Sequence, residues 1–162
     1  MPIIVPITYK CNLACTYCRE YKKTTKIDIN LSYPIIKELP DPWVFITGGE
    51  PLLLDDIFTI CDTIRGFGKL VGLTTNGTID KPEIANHVDR LGISLDGTRE
   101  INDISRGVGN YDKAISFISS VVGKTEVGIM CTVGEWNKSD IGNLINVSES
   151  LGCDFIELTD VN

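Results

Sequence analysis

The stretch Ile3-Ile4-Val5-Pro6-Ile7-Thr8-Tyr9-Lys10-Cys11-Asn12-Leu13-Ala14-Cys15-Thr16-Tyr17-Cys18 joins an apolar, β-branched run to three closely spaced cysteines. The run predicts a strand over Ile3–Thr8. Pro6 has no N–H to give a ladder, so this strand belongs at a sheet edge. The cysteines follow C-x3-C-x2-C spacing, which lets three thiolates wrap three corners of a cubane iron–sulfur cluster and leaves one iron open. A structural zinc site would want four protein ligands. No fourth Cys or His lies nearby in sequence, and His87 could join only through an accident of folding. Three unconnected core cysteines fit poorly in a loop that also carries Asn12 and Arg19. The cluster reading is preferred.

Working outward, the apolar β-branched pattern recurs at Trp43–Thr47, Leu70–Thr75, Val88–Leu95, Glu126–Thr132 and Asp154–Thr159. Helical spacing lies between these runs. Asp55 or Asp56 can cap a helix presenting Ile57, Ile60, Cys61 and Ile64, stopped near Gly66. Pro82 suits the first turn of a short helix through His87. Asn110 can cap one presenting Ala114, Phe117, Ile118 and Val121. Ser139 can cap the last, with Ile141, Leu144, Ile145 and Leu151 apolar and Gly152 closing it. Pro34 and Pro40 leave room for only a short helix within Leu31–Leu39.

Six strands with five intervening helices predict parallel pairing through right-handed crossovers. At 162 residues the chain is far below the ~250 of a closed eight-fold barrel. The expected fold is therefore α/β, an open partial (β/α)6 TIM-type barrel. Its edges are strands one and six, and it lacks a helix after strand six. We read residues 1–162 as a single domain, with no C-terminal domain for auxiliary clusters.

Composition narrows the function classes. Hydrophobic content of 43% with 23% charged residues is that of a globular protein. No apolar stretch approaches the ~20 residues that cross a bilayer. The Met1-Pro2-Ile3-Ile4 start lacks the features of a signal peptide, so the expected location is cytoplasmic. A net charge of −7 argues against nucleic acid as a partner. Lys10, Arg19, Lys22, Lys23 and Lys26 make the cysteine segment locally basic, and Lys22 and Lys23 read most simply as a solvated loop. Three cysteines cluster while Cys61, Cys131 and Cys153 are scattered, so no structural disulfide is expected. Cys61 falls on a helical apolar stripe and Cys153 begins a strand. Cys131 reads as core, with a thiol facing substrate as the alternative.

Turn-forming, chemistry-bearing segments follow the strands. Gly48-Gly49-Glu50-Pro51 ends the second, Thr74-Thr75-Asn76-Gly77 the third, and Ser94-Leu95-Asp96-Gly97 the fourth, with Arg106 soon after. Thr132-Val133-Gly134 ends the fifth and Thr159 the sixth. Taken singly these are turns. In a parallel α/β barrel, however, the C-terminal strand ends converge on one face, where function collects.

The cysteine spacing together with these segments resembles the radical S-adenosylmethionine (radical SAM) superfamily, in particular its molybdenum-cofactor and peptide-modifying (SPASM-like) branch. The resemblance implies a [4Fe–4S] cluster on Cys11, Cys15 and Cys18, with S-adenosylmethionine at the open iron. It further implies an oxygen-sensitive enzyme in which the reduced cluster cleaves S-adenosylmethionine to a 5′-deoxyadenosyl radical that abstracts a substrate hydrogen. By the same resemblance, the Gly48-Gly49-Glu50 segment lines up with the amino group of S-adenosylmethionine, the glycines exposing backbone carbonyls and Glu50 adding an acceptor or a charge able to hold nearby geometry. Ser94 and Asp96 lie near its amino acid and ribose portions, and Arg106 pairs with its carboxylate. Tyr17 lies beside the adenine, as do Thr132 and, more loosely, Gly134 and Thr159. Thr75 and Asn76 also count among the cofactor-binding residues. The implied partners are a low-potential electron donor such as flavodoxin or ferredoxin, and a peptide, protein or cofactor-precursor substrate. A partner or a second copy covering the edge strand is also expected. The different-class alternatives are an electron-transfer module and a noncatalytic S-adenosylmethionine-binding subunit.

Overall fold

The computed structural model describes residues 2–19 and 27–161. Six strands run parallel in the order β1 to β6: β1 (Ile3–Pro6), β2 (Trp43–Thr47), β3 (Leu70–Thr75), β4 (Arg90–Ser94), β5 (Glu126–Val133) and β6 (Phe155–Asp160). They form a curled half-barrel with helices between successive strands, the architecture expected from sequence. The edges are β1 and β6. Pro6 is accommodated because the ladder continues from its neighbour: Ile7 N–H donates to the Thr47 carbonyl at 3.0 Å, which turns the Pro6 nitrogen toward the open side.

The core lies between the convex sheet face and the helices. Ile46, Leu73, Leu91, Ile93 and Ile129 point outward from alternate strand positions and are buried. They meet Ile57, Ile60, Cys61 and Ile64 of α2 (Ile57–Gly66) and Ala114, Phe117, Ile118 and Val121 of α4 (Asn110–Val121). Leu144 of α5 (Ile141–Leu151) joins the same core. Each of the Ile, Leu, Val and Phe side chains among them contributes roughly 1.5–3 kcal/mol of burial. The concave face carries the other strand positions and stays open.

The helix ends differ in detail from the sequence reading. The short helix between the prolines is α1 (Tyr33–Glu38), with Pro34 in its first turn. Pro82 starts a 3₁₀ turn, Pro82–Asn86, rather than an α-helix. Asp56 stands at the start of α2. Asn110 does not cap α4; Gly109, at φ +80°, holds that position. The capping oxygens come instead from Asp103, which accepts from the Gly109 and Tyr111 N–H groups at 2.8 and 3.0 Å. Ser139 lies inside a 3₁₀ turn, Lys138–Asp140, and Asp140 precedes α5. Lys22, Lys23 and Lys26 of the basic segment lie outside the described residues.

One helix was not anticipated: α3 (Arg99–Arg106). Its buried face is polar, formed by Asn102, Ser105 and Arg106, so an apolar period could not reveal it. That face packs on the site.

Candidate active site

The C-terminal strand ends enclose a cavity of about 210 Å³. Cys11, Cys15 and Cys18 line it from the loop after β1. Gly48 and Gly49 line it from β2, Thr75 and Asn76 from β3, and Ser94 from β4. Thr132, Arg106 and Tyr17 complete the wall. The motifs that sequence placed on successive strands thus share one chamber.

Each piece of the wall has a physical reason. A Cβ on Gly48 would lie 2.2 Å from the Thr8 carbonyl oxygen, and one on Gly49 would lie 2.3 Å from that of Lys10. The two glycines therefore permit a backbone-to-backbone approach of the β2 end to the cysteine loop. That approach is fixed by Gly49 N–H to Thr8 O at 2.7 Å and Glu50 N–H to Lys10 O at 2.8 Å. Gly48 also sits at φ +147°, where side chains strain the backbone.

Two carboxylates sit behind the wall. Glu50 is fully buried. It accepts from Leu52 N–H (2.9 Å), the Thr75 hydroxyl (2.7 Å) and Asn76 N–H (2.7 Å). Burial pushes its carboxyl above the ordinary range, against the pull of these donors. Asn76 then reaches the cysteine loop, donating to the Asn12 side-chain oxygen at 2.9 Å and lying 3.9 Å from the Cys11 sulfur. Asp96, also fully buried, receives the Arg106 fork at 2.7 and 2.9 Å. It further accepts from the Tyr17 hydroxyl (2.8 Å), Ser105 (3.0 Å) and Thr132 N–H (3.2 Å). Two hubs hold the rim together.

Among the described residues, no three Cys, His, Asp or Glu donors converge closely enough to chelate a single ion. The three thiols instead face one chamber, partly exposed, as donors to separate corners of a multinuclear group would. Burial raises the Cys11 and Cys15 thiols, and Arg106 offsets part of that at Cys15. The residues fit a three-thiolate cluster. His87 is no ligand, because it pairs with Asp62 at 2.8 Å and stacks on Phe58.

The family model of the radical SAM superfamily matches residues 5–147. The chain belongs to the radical SAM superfamily. Members of this family use a [4Fe–4S] cluster and S-adenosylmethionine. Pre-heme d1 synthase of Dinoroseobacter shibae is 32% identical over 168 residues, covering 94% of this chain and 42% of that protein. Mycofactocin maturase MftC of Mycobacterium tuberculosis is 33% identical over 140 residues, covering 78% of this chain and 36% of that protein. Streptococcus suis SuiB bound to S-adenosylmethionine superposes with a TM-score of 0.83 at 17% identity, covering all of this chain and 41% of that one. The chain spans about two-fifths of the length of these curated relatives.

Within this radical SAM core, some of the expected cofactor residues line the cavity and others lie behind it. Glu50 and Asp96 do not line the cavity, because each is buried behind it and its oxygens are taken by protein donors. The Arg106 fork, expected on a ligand carboxylate, already holds Asp96, which leaves only its remaining edge to the chamber. Gly134 and Thr159 also lie outside the lining; Gly134 is covered by the Trp136 ring and Thr159 is exposed. Cys131 is buried beside Asn137, at 3.6 Å, and reads as core.

Sequence reasoning missed Asn137 and Trp136. Fully buried Asn137 donates to the Asp96 and Thr132 carbonyls at 2.8 and 2.9 Å and accepts from Gly134 N–H at 2.8 Å, fastening β4 to β5. Trp136 stacks on Tyr17, with ring centroids 5.2 Å apart and planes 10° off parallel. Their only sequence signal is position, just beyond the fifth strand end.

Proposed function

We propose that this chain is the catalytic core of a radical SAM enzyme in which Cys11, Cys15 and Cys18 hold a [4Fe–4S] cluster and the neighbouring strand ends hold S-adenosylmethionine. The observation that carries the reading is one chamber lined by the three cysteines, the Gly48-Gly49 backbone, Arg106 and Thr132. When bound, the reduced cluster supplies the electron that cleaves S-adenosylmethionine to methionine and a 5′-deoxyadenosyl radical, which takes a hydrogen atom from substrate.

The protein's part is to bind, orient and exclude water. Gly48 and Gly49 bring main-chain polar groups to the chamber for an ammonium group. Ser94, Thr132 and Tyr17 also line the chamber. Glu50 and Asp96 touch none of this directly and act as positioning residues. Arg106 places a positive charge beside Cys15 that eases the charge of a bound thiolate. The substrate is a peptide, a protein or a cofactor precursor, in keeping with relatives named as synthases and maturases.

Anaerobic reconstitution with iron and sulfide, followed by reductant and S-adenosylmethionine, tests the proposal. Formation of 5′-deoxyadenosine is expected, and Cys11→Ala, Cys15→Ala or Cys18→Ala should each abolish both iron binding and cleavage. A properly loaded protein that yields none would instead be an electron-transfer or noncatalytic binding module.

A further inference from the structure

Below the cysteine-lined chamber, the concave sheet face holds a second cavity of about 280 Å³. The two share Thr47 and Thr74 in their linings, so they adjoin at the ends of β2 and β3. The floor is apolar and shaped by three glycines on successive strands. A Cβ on Gly72 would meet the Phe45 ring at 2.4 Å, one on Gly92 the Met130 Cγ at 2.5 Å, and one on Gly128 the Phe155 ring at 2.5 Å. The large side chains thus lie flat over their neighbours' missing ones, and the lumen stays open.

Its charges are unequal in their commitments. Arg90 stacks 3.8 Å over the Phe155 ring centroid, and its Nε lies 3.6 Å from Glu126. That cation is compensated at the floor. Glu157 lines the same cavity, in register with Met130, and has no hydrogen bond or ion pair among the described residues. The wall therefore offers an apolar slot, one uncommitted negative charge, and the hydroxyls of Thr47 and Thr74 at the junction.

We propose that this lumen selects an apolar substrate arm carrying a positive charge, with Glu157 as its counter-charge. The proposal rests on reading the upper chamber as the cofactor site, which puts the arm beside the reacting centre. The volume lies just under the ~300–1,000 Å³ of pockets that engulf whole drug-sized ligands, so the lumen takes one arm of a larger substrate. An arm ending in a carboxylate meets Glu157 as a like charge and is rejected.

Met1 and Met130 are the chain's two methionines, so ¹³C-methyl-methionine labelling gives a reporter on the lumen wall, assigned with Met130→Leu. The probes are phenethylammonium and 3-phenylpropionate, which share a ring and differ in charge. A ring entering the slot shifts the Met130 methyl resonance, and the titration gives an affinity. We expect phenethylammonium to bind about three- to fivefold more tightly than 3-phenylpropionate, within the range for an exposed charge pair. Glu157→Gln should bring the two within about twofold while leaving S-adenosylmethionine affinity unchanged. Gly92→Ala, which drives Met130 into the slot, should weaken both probes alike. No shift of the Met130 methyl at millimolar phenethylammonium, equal affinities in the parent protein, or a ratio unmoved by Glu157→Gln would each overturn the proposal. Charge-selective binding in a protein that fails to cleave S-adenosylmethionine overturns the cofactor reading alone, whereas cleavage without charge selection overturns only the lumen's role.

Discussion

Replacing Asp96 by Asn tests the hub on which most of the site depends. The two side chains have nearly the same shape, so the change is in charge and donor count. Asp96 Oδ1 accepts from Arg106 Nη2 and Thr132 N–H, while Oδ2 accepts from Tyr17, Ser105 and Arg106 Nε. An asparagine whose oxygen takes the Oδ2 place keeps three donors and turns its NH₂ against the other two. The reverse orientation loses three. Either way the Arg106 guanidinium, whose side chain is 9% exposed, loses its counter-charge. Removing one partner of a buried pair costs about 3–5 kcal/mol. For a chain of this size that lowers Tm by about 6–20 °C. The assay is thermal unfolding of the cluster-free protein followed by circular dichroism, on Asp96→Asn, Arg106→Met and the double variant. The double variant should be less destabilised than the sum of the singles by more than ~1 kcal/mol, because the pair is then removed together. A Tm within 2 °C of the parent, or strict additivity, would refute the buried-pair reasoning.

Four further outcomes follow from the same geometry. Glu50→Gln keeps the Leu52 and Thr75 bonds but sets an NH₂ against Asn76 N–H, so it should cost about 1–3 kcal/mol in urea unfolding at pH 5 and below. Because burial raises the Glu50 pKa, the folded state holds that proton more tightly; its contribution is complete below the ordinary 4.5 and is lost as pH rises through the folded value. The variant should lack that decline. Gly49→Ala forces apart the backbones of the cysteine loop and the β2 end, and a loss of at least ~3 kcal/mol or of folding itself is expected, measured by denaturant titration. Trp136→Phe should bind S-adenosylmethionine like the parent, since the indole N–H has no partner, whereas Trp136→Leu should weaken binding about 2- to 12-fold by removing the Tyr17 stack. Burial pushes the Cys61 and Cys131 thiols up to about 12, so in the native cluster-free protein at pH 8 iodoacetamide should label Cys11, Cys15 and Cys18 well before either, as read by peptide mass spectrometry.

The strands were legible because each is an apolar run bounded by turn residues, and a parallel sheet buried on its convex face needs that pattern. The cysteine spacing and the Gly-Gly pair were legible because spacing and glycine content are written in the chain. What escaped was governed by polar burial. Helix α3 buries Asn102, Ser105 and Arg106 against Asp96, a choice that only the three-dimensional partner justifies. Its caps were readable, with Thr98 before it and Gly107 at φ +100° after it, but its apolar period was absent. Asn137 and Trp136 likewise act through residues about 40 and about 120 positions earlier in the chain, Asp96 and Tyr17.

Glu50 shows how a motif residue can support a cavity from behind its wall. Its main-chain N–H holds the Lys10 carbonyl, and its carboxylate holds Thr75 and Asn76. Asn76 returns to Asn12 through its side-chain amide, and Asn12 in turn donates to Thr78 at 2.8 Å. The loop after β1, the turn after β2 and the turn after β3 are thereby closed into one ring of hydrogen bonds, with Cys11 carried on it. A second ring runs from Tyr17 through Asp96 to Thr132 and Arg106, with Asn137 bridging the same strands. The cysteine loop belongs to both rings, through Asn12 in the first and Tyr17 in the second. Three thiols on a loop without regular structure can then be held in fixed relation to the strand ends, which a loop tethered only at its termini could not achieve. A preorganised site requires that kind of support from behind its wall. Conversely, loosening either ring should disturb the geometry of the three cysteines together rather than the affinity of one, so iron loading of Glu50→Gln and Asp96→Asn should fall as a whole, without a change in cluster stoichiometry per loaded chain.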